Sequence, residues 1–297
     1  MAEDNGTPGS GQPLAVLGAG VMGSGIAALA IGHGVAVSLI DVDRARLATA
    51  AARIDHHVRT AQLLGASPAA DAPGELVTGL SPDGLLTGAG AVPAAVIEAV
   101  TEDADAKAKA LADAAALVPP GTPIISNTSS IPIDELARAV PRPADLIGTH
   151  FMNPPYLIST VEVIRGTHTA EATLAAVRAL LTGLRREPIV VQDAPGFVTS
   201  RILHPMINDA VRVVAAGTAS VPSVDRLMQG CLGHPTGPLR TADLIGLDNL
   251  VDSLWVLHRR TGDEGCRPCD LLLDMVKAGR LGRKSGRGFY DYEGEQA

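Results

Sequence analysis

Four apolar residues, LAVL at 14–17, run straight into Gly18-Ala19-Gly20-Val21-Met22-Gly23, and the apolar stretch SGIAALAIG follows at once. Glycines at the first, third and sixth places of such a loop meet three steric needs. The first allows a tight turn out of a strand, the second a close backbone approach to a bound pyrophosphate, and the third a close helix–strand contact. The helix that starts there points its unpaired N–H groups at the same spot, which favours an anion. The loop alone would be weak evidence. Placed between a strand and a helix it constrains the whole fold, because the unit needs a second, parallel strand beyond the helix. VAVSLID (35–41) supplies that strand and ends in Asp41.

Strand-length apolar runs then recur as AAVIEAV (94–100), TPIISNTSS (122–130), DLIGTH (145–150), TVEVI (160–164) and EPIVVQD (187–193). Ala/Leu/Arg-rich helical stretches lie between them. This alternation predicts an α/β fold, a Rossmann-type doubly wound and mainly parallel sheet. A carboxylate at position 41 can accept hydrogen bonds from both ribose hydroxyls and repels a 2′-phosphate. The cofactor read from Gly18, Gly20, Val21, Met22, Gly23 and Asp41 is therefore NAD, with Arg44 the one neighbour that would favour NADP. Asp43 reads as solvent-facing or as a helix N-cap. After Asp193 only helical patterns follow, so the second half is expected to be an all-helical C-terminal domain. The expected division is a disordered tail over 1–12, an NAD-binding domain over 13–192 and a helical substrate and dimerisation domain over 193–297. The Gly/Ala/Pro-rich stretch 65–84 reads as an exposed connection.

The helices of the second half are short and leave no room for a core of its own size, which points to a homodimer formed through this domain. With 2% aromatics in 297 residues, aliphatic side chains must fill the interior. A net charge of −8 argues against a nucleic-acid partner. No apolar run reaches membrane-span length, and the N-terminus has neither a basic nor an apolar signal region, so a cytoplasmic protein is expected. Three cysteines without an export signal are expected to be reduced. Cys266-Arg-Pro-Cys269 lacks a second ligand pair, so no metal is expected.

An NAD site implies hydride transfer, and oxidising an alcohol also needs a base for the hydroxyl proton. Of eight histidines, only His150 directly follows an apolar run of the first half, where ligands meet the carboxyl ends of strands. His33 ends the first helix, His56 and His57 lie in a polar helix, and His168 lies in a loop. His204, His234 and His258 lie in the helical half. Glu162 sits between Val161 and Val163, an unfavourable place for an unpaired carboxylate. A catalytic His150–Glu162 pair would account for it. So would a solvent-facing glutamate beside a structural histidine, and on pattern alone the two readings stand level.

Beyond the pattern, THFMNPP followed by VEVI resembles the signature of the L-3-hydroxyacyl-CoA dehydrogenases. GAGVMGSGIA, VIEAVTED, SNTSS, PGFV, HPTGPLRTADLIGLD and GRKSGRGFYDY match further segments of that family in order. The resemblance implies that His150 is the general base, that Glu162 orients it, and that Ser129 hydrogen-bonds the substrate oxygen near the nicotinamide. It implies that Asn153 contacts cofactor or supports the pair, that Glu102 and Lys107 hold the nicotinamide-ribose side, and that Lys284 reaches the cofactor. It also implies a dimer. Ser200 stands where the family has an asparagine that helps bind the thioester, and Ser159-Thr160 replace Lys-Leu. Arginines (Arg44, Arg46, Arg53, Arg59) replace the lysines that meet coenzyme A phosphates. These differences favour a small polar 3-hydroxyacyl group on an acyl carrier protein, as in glyceryl-carrier-protein dehydrogenases of polyketide extender-unit pathways. The alternatives are 3-hydroxybutyryl-CoA, a free hydroxyacid, or an NAD-binding redox sensor without catalysis.

Overall fold

The computed structural model describes residues 12–66, 73–87 and 92–292. The chain divides after Asp193 into two compact units. All but one residue of the expected tail, and residues 293–297, lie outside the described residues.

The first unit is built on a sheet whose strands are β1 (Leu14–Leu17), β2 (Val37–Ile40), β3 (Leu76–Gly79), β4 (Ala95–Glu98), β5 (Ile124–Ser126), β6 (Leu146–His150), β7 (Thr160–Arg165) and β8 (Glu187–Gln192). Among the described residues their order is β3-β2-β1-β4-β5-β6-β7-β8. Every neighbouring pair is parallel except β6–β7. β1, β2, β4 and β5 are buried along their full length. Their mainly apolar sequences follow from this, since a parallel sheet covered on both faces has no wet side.

The helices of this unit are α1 (Val21–Gly32), α2 (Arg44–Leu63), α3 (Asp83–Leu86), α4 (Ala104–Leu117), α5 (Ile133–Leu136) and α6 (Glu171–Gly183). α1 is buried from Gly23 to Gly32, as befits a helix apolar on all sides. α2 shows a polar face and buries Leu47, Ala50, Ile54, Val58 and Ala61 against the same core. Asp43 is the N-cap of α2, its carboxylate accepting the Ala45 and Arg46 amides, which settles that residue as a cap.

Of the stretch 65–84, residues 67–72 lie outside the described residues, and the rest is more than an exposed connection. It contains β3, hydrogen-bonded along its length to β2, and the start of α3. LVTG is a four-residue edge strand, half exposed, too short and too mixed for periodicity to reveal it.

The second unit is helical: α7 (Thr199–Ala215), α8 (Val221–Leu232), α9 (Pro238–Ile245), α10 (Leu247–Thr261) and α11 (Asp270–Lys277). Its only β pairing among the described residues is two isolated bridges at Arg287. Contrary to the expectation from helix length, it has its own core, with Ile207, Val211, Leu239, Leu250, Leu254 and Leu272 fully or almost fully buried. Two buried carboxylates organise its chain ends. Asp225 accepts the Leu239 and Arg240 amides at the start of α9. Asp243 accepts the Phe289 and Tyr290 amides and the Tyr292 hydroxyl of the terminal segment. Burial raises the Asp243 carboxyl above the usual range, against those hydrogen bonds.

Candidate active site

The glycine loop leaves β1 at Gly18, whose φ of +101° is closed to most side chains, and a Cβ there would lie 2.5 Å from the Ala99 carbonyl. A Cβ on Gly23 would lie 1.8 Å from the Gly18 carbonyl. Gly20 differs from both: a Cβ there meets no protein atom within 4 Å. Gly20 is also the N-cap of α1, with no side-chain cap and no acidic residue in the first turn. The helix thus opens onto uncrowded space with its N–H groups available to an anion. Asp41 follows β2 and is 8% exposed. Its carboxylate accepts the Ala19 amide at 2.7 Å and the Asp43 amide at 2.9 Å. Each oxygen keeps a second acceptor position, so the group can tie down the loop and still receive ribose hydroxyls. These residues fit a dinucleotide.

A second cluster lies at the carboxyl ends of β4 and β5. Glu102 Oε1 collects the Thr128 hydroxyl at 2.5 Å, the Ser129 amide at 2.8 Å, the Ser129 hydroxyl at 3.1 Å and the Ser130 amide at 3.2 Å. Its other oxygen lies 3.1 Å from Lys107 Nζ. Burial pushes the Glu102 carboxyl upward, but Lys107 and the bonds from Thr128 and Ser129 outweigh it and hold the group below the usual carboxylate value. Ser129 itself is half-buried in this turn.

The third element is the pair the sequence left open. In the antiparallel β6–β7 ladder, Glu162 lies directly opposite His150. Opposed residues put their side chains on one face of the sheet, and His150 Nδ1 comes to 2.8 Å from Glu162 Oε2. Both residues are more than nine-tenths buried. The solvent-facing reading of Glu162 is therefore set aside. An ionised carboxylate only accepts, so Nδ1 donates and the neutral ring carries its lone pair on Nε2.

The link between the two strands, 151–159, is held at several points. Pro155 packs where a Cβ on Gly25 of α1 would meet it at 2.7 Å. The Tyr156 ring lies 4.6 Å from that of His57 on α2. Arg186, almost fully buried, donates to the carbonyls of Ile158 and Leu184. Asn153, exposed, precedes a cis peptide bond to Pro154. Ser159 is exposed, and the Thr160 hydroxyl is turned to Glu187 at 3.4 Å.

In the second unit, Ser200 is buried in the first turn of α7, and Lys284 Nζ lies 2.6 Å from Asp248. Cys266 is buried, its thiol pushed upward by burial and by Asp263. Cys269 caps α11, and its amide donates to the buried Asn208. Among the described residues no group of three His, Cys, Asp or Glu side chains could hold a metal.

Three buried polar residues of the first unit escaped the sequence reading. Glu98 and Ser126 end β4 and β5, and Asn127 follows. Asn127 Oδ1 accepts the Phe151 amide, next to His150. The available signal was a carboxylate set inside an apolar run, the same signal that singled out Glu162.

Two adjoining family models cover nearly the whole chain: the 3-hydroxyacyl-CoA dehydrogenase NAD binding domain over residues 13–194, and the 3-hydroxyacyl-CoA dehydrogenase C-terminal domain over 196–292. A probable 3-hydroxybutyryl-CoA dehydrogenase of Bacillus subtilis is 41% identical, covering 95% of this chain and 98% of that protein. The 3-hydroxybutyryl-CoA dehydrogenase of Bradyrhizobium diazoefficiens is 39% identical, covering 95% and 96%. Among solved structures, M. tuberculosis FadB2 superposes with a TM-score of 0.89 at 36% identity over 96% of this chain and 100% of that one. The (S)-3-hydroxybutyryl-CoA dehydrogenase PaaH1 of Ralstonia eutropha gives 0.81 at 39% identity over 95% and 99%.

Proposed function

The chain belongs to the 3-hydroxyacyl-CoA dehydrogenase family, and from that premise we propose that it interconverts 3-hydroxybutyryl-CoA and acetoacetyl-CoA with NAD. The observation that carries this reading is the buried 2.8 Å contact between His150 Nδ1 and Glu162 Oε2. NAD held at the glycine loop 18–23 and Asp41 would supply the hydride acceptor for the substrate's C3. His150 takes the hydroxyl proton on Nε2, so that alcohol loses hydride and proton together and becomes the ketone. Glu162 fixes the tautomer that makes Nε2 the acceptor and stabilises the imidazolium that forms. The Ser129 hydroxyl turns from Glu102 to donate to the substrate oxygen, while the Ser129 and Ser130 amides on Glu102 keep that turn in place. Gly20, Val21, Met22 and Asp41 hold the dinucleotide. Asn153 is assigned to the nicotinamide side, where Lys107 acts through Glu102.

The coenzyme A thioester takes precedence here over the carrier-protein thioester favoured on sequence, because the full-length relatives are named for 3-hydroxybutyryl-CoA. Of the polar substitutions behind the carrier-protein reading, Thr160 turns its hydroxyl to Glu187. Matched 3-hydroxybutyryl thioesters of coenzyme A and of a carrier protein test the choice, with His150→Ala as control. Preferred turnover of the carrier-protein substrate would reverse it, and equal activity of His150→Ala would remove the pair from the mechanism. Exposed Ile202, Leu227, Leu232 and Leu244 on the helical unit support a homodimer, which light scattering checks. No described helix is long and apolar enough to cross a membrane, which fits a cytoplasmic site of action.

A further inference from the structure

Glu98 has no solvent exposure at all, at the end of β4. Its Oε1 accepts Lys107 Nζ and the Val100 amide, each at 2.8 Å, and its Oε2 accepts the Ser126 hydroxyl at 2.7 Å. Lys107 is 1% exposed. Its ammonium stands between two carboxylates, Glu98 on the inside at 2.8 Å and Glu102 on the outside at 3.1 Å. Two negative charges share one positive charge, and the residual charge is presented by Glu102, the member that touches the Ser129 turn. A buried ion pair is seldom the most stabilising solution for a core, and apolar residues of equal volume often do as well. What apolar residues could not do is aim an ammonium at Glu102.

We propose that Glu98 is a positioning residue of the dehydrogenase reaction, holding Lys107 so that the Glu102 carboxylate and the Ser129 hydroxyl stay where cofactor and substrate meet them. The inference rests on the reading of Ser129 and Glu102 given above. A separate backbone route leaves the same residue: the Glu98 carbonyl accepts the Asn127 amide at 2.8 Å, and Asn127 Oδ1 accepts the Phe151 amide at 3.1 Å. A side-chain substitution leaves that route intact and so isolates the Lys107 route.

Glu98→Gln keeps the shape and removes the charge. We expect kcat and kcat/KM for NAD to fall about tenfold or more and NADH to bind correspondingly more weakly. A purely structural glutamate would lower the melting temperature and leave kcat per folded molecule and NADH affinity untouched, and that outcome overturns the proposal. NADH affinity is read from the cofactor's own fluorescence without substrate, so a wrong acyl group in the functional reading leaves this test standing. Should Glu98→Gln fail to fold, Ser126→Ala removes only the hydroxyl bond to Glu98. A severalfold loss in the same constants supports the proposal, and wild-type constants overturn it.

Discussion

Glu162→Gln removes one charge and almost no volume. In the wild type, Glu162 Oε2 lies 2.8 Å from His150 Nδ1 with both side chains largely shielded from water. A glutamine carbonyl can still accept the Nδ1 proton, so tautomer and ring orientation survive. What is lost is the charge that stabilises the imidazolium as it forms. Hydrogen bonds to charged groups contribute about 1.5–3 kcal/mol, and the difference falls on the transition state, where the ring has become cationic. That corresponds to a drop of roughly 10- to 150-fold in kcat, with KM for NAD nearly constant because the cofactor loop rests on other bonds, the Ala19 and Asp43 amides donating to Asp41. The assay is initial-rate oxidation of 3-hydroxybutyryl-CoA followed by NADH absorbance, alongside thermal melts to normalise for folded protein. The double variant with His150→Ala supplies the sharper reading. If Glu162 acts only through His150, adding Glu162→Gln to His150→Ala costs nothing more. Additive losses, or a Glu162→Gln enzyme within twofold of wild type, would refute the pair as described.

The open space at Gly20 predicts that Gly20→Ala melts like the wild type but binds NADH at least about tenfold more weakly, because the methyl group occupies room the pyrophosphate needs; fluorescence titration and calorimetry check both halves. Gly23→Ala is expected to fail at folding instead, its Cβ lying 1.8 Å from the Gly18 carbonyl. Because the Glu102 carboxyl is held below its ordinary value near 4.5, the folded state binds that proton less readily than the unfolded chain, and the stability it contributes is present above that value and lost as pH falls through and below it. Melts across this acid range should therefore show a shallower decline for Glu102→Gln than for wild type. Of the three thiols, exposed Cys231 should react first with a disulfide reagent and buried Cys266, raised by burial, last; mass spectrometry of partly labelled protein gives the order.

Local pattern carried most of the first unit. Long apolar runs, a glycine loop at the right offset from Asp41, and helical stretches between strands are signals that repeat over many residues, so single exceptions do not erase them. β3 was lost because an edge strand of four half-exposed residues has neither an unbroken run nor a clear alternation. Glu98 escapes for the opposite reason: it sits inside an apolar run that reads plainly as a strand, and nothing local says that Lys107, nine residues on in the next helix, turns inward to meet it. Helix length understates the core of the second unit, because it says nothing of how α7, α9, α10 and α11 pack together.

The chain alone determined the alternating architecture, the place of the dinucleotide loop and the candidates for proton transfer, since each follows from steric or periodic demands that neighbouring residues make on one another. Tertiary structure decided which candidates meet. His150 and Glu162 are twelve positions apart, a separation compatible with many geometries. They touch because β6 and β7 run antiparallel in a register that sets one opposite the other. A shift of one residue would turn Glu162 to the other face, and no property of either side chain specifies that register. It is set by the buried faces of the strands and by the anchored link between them.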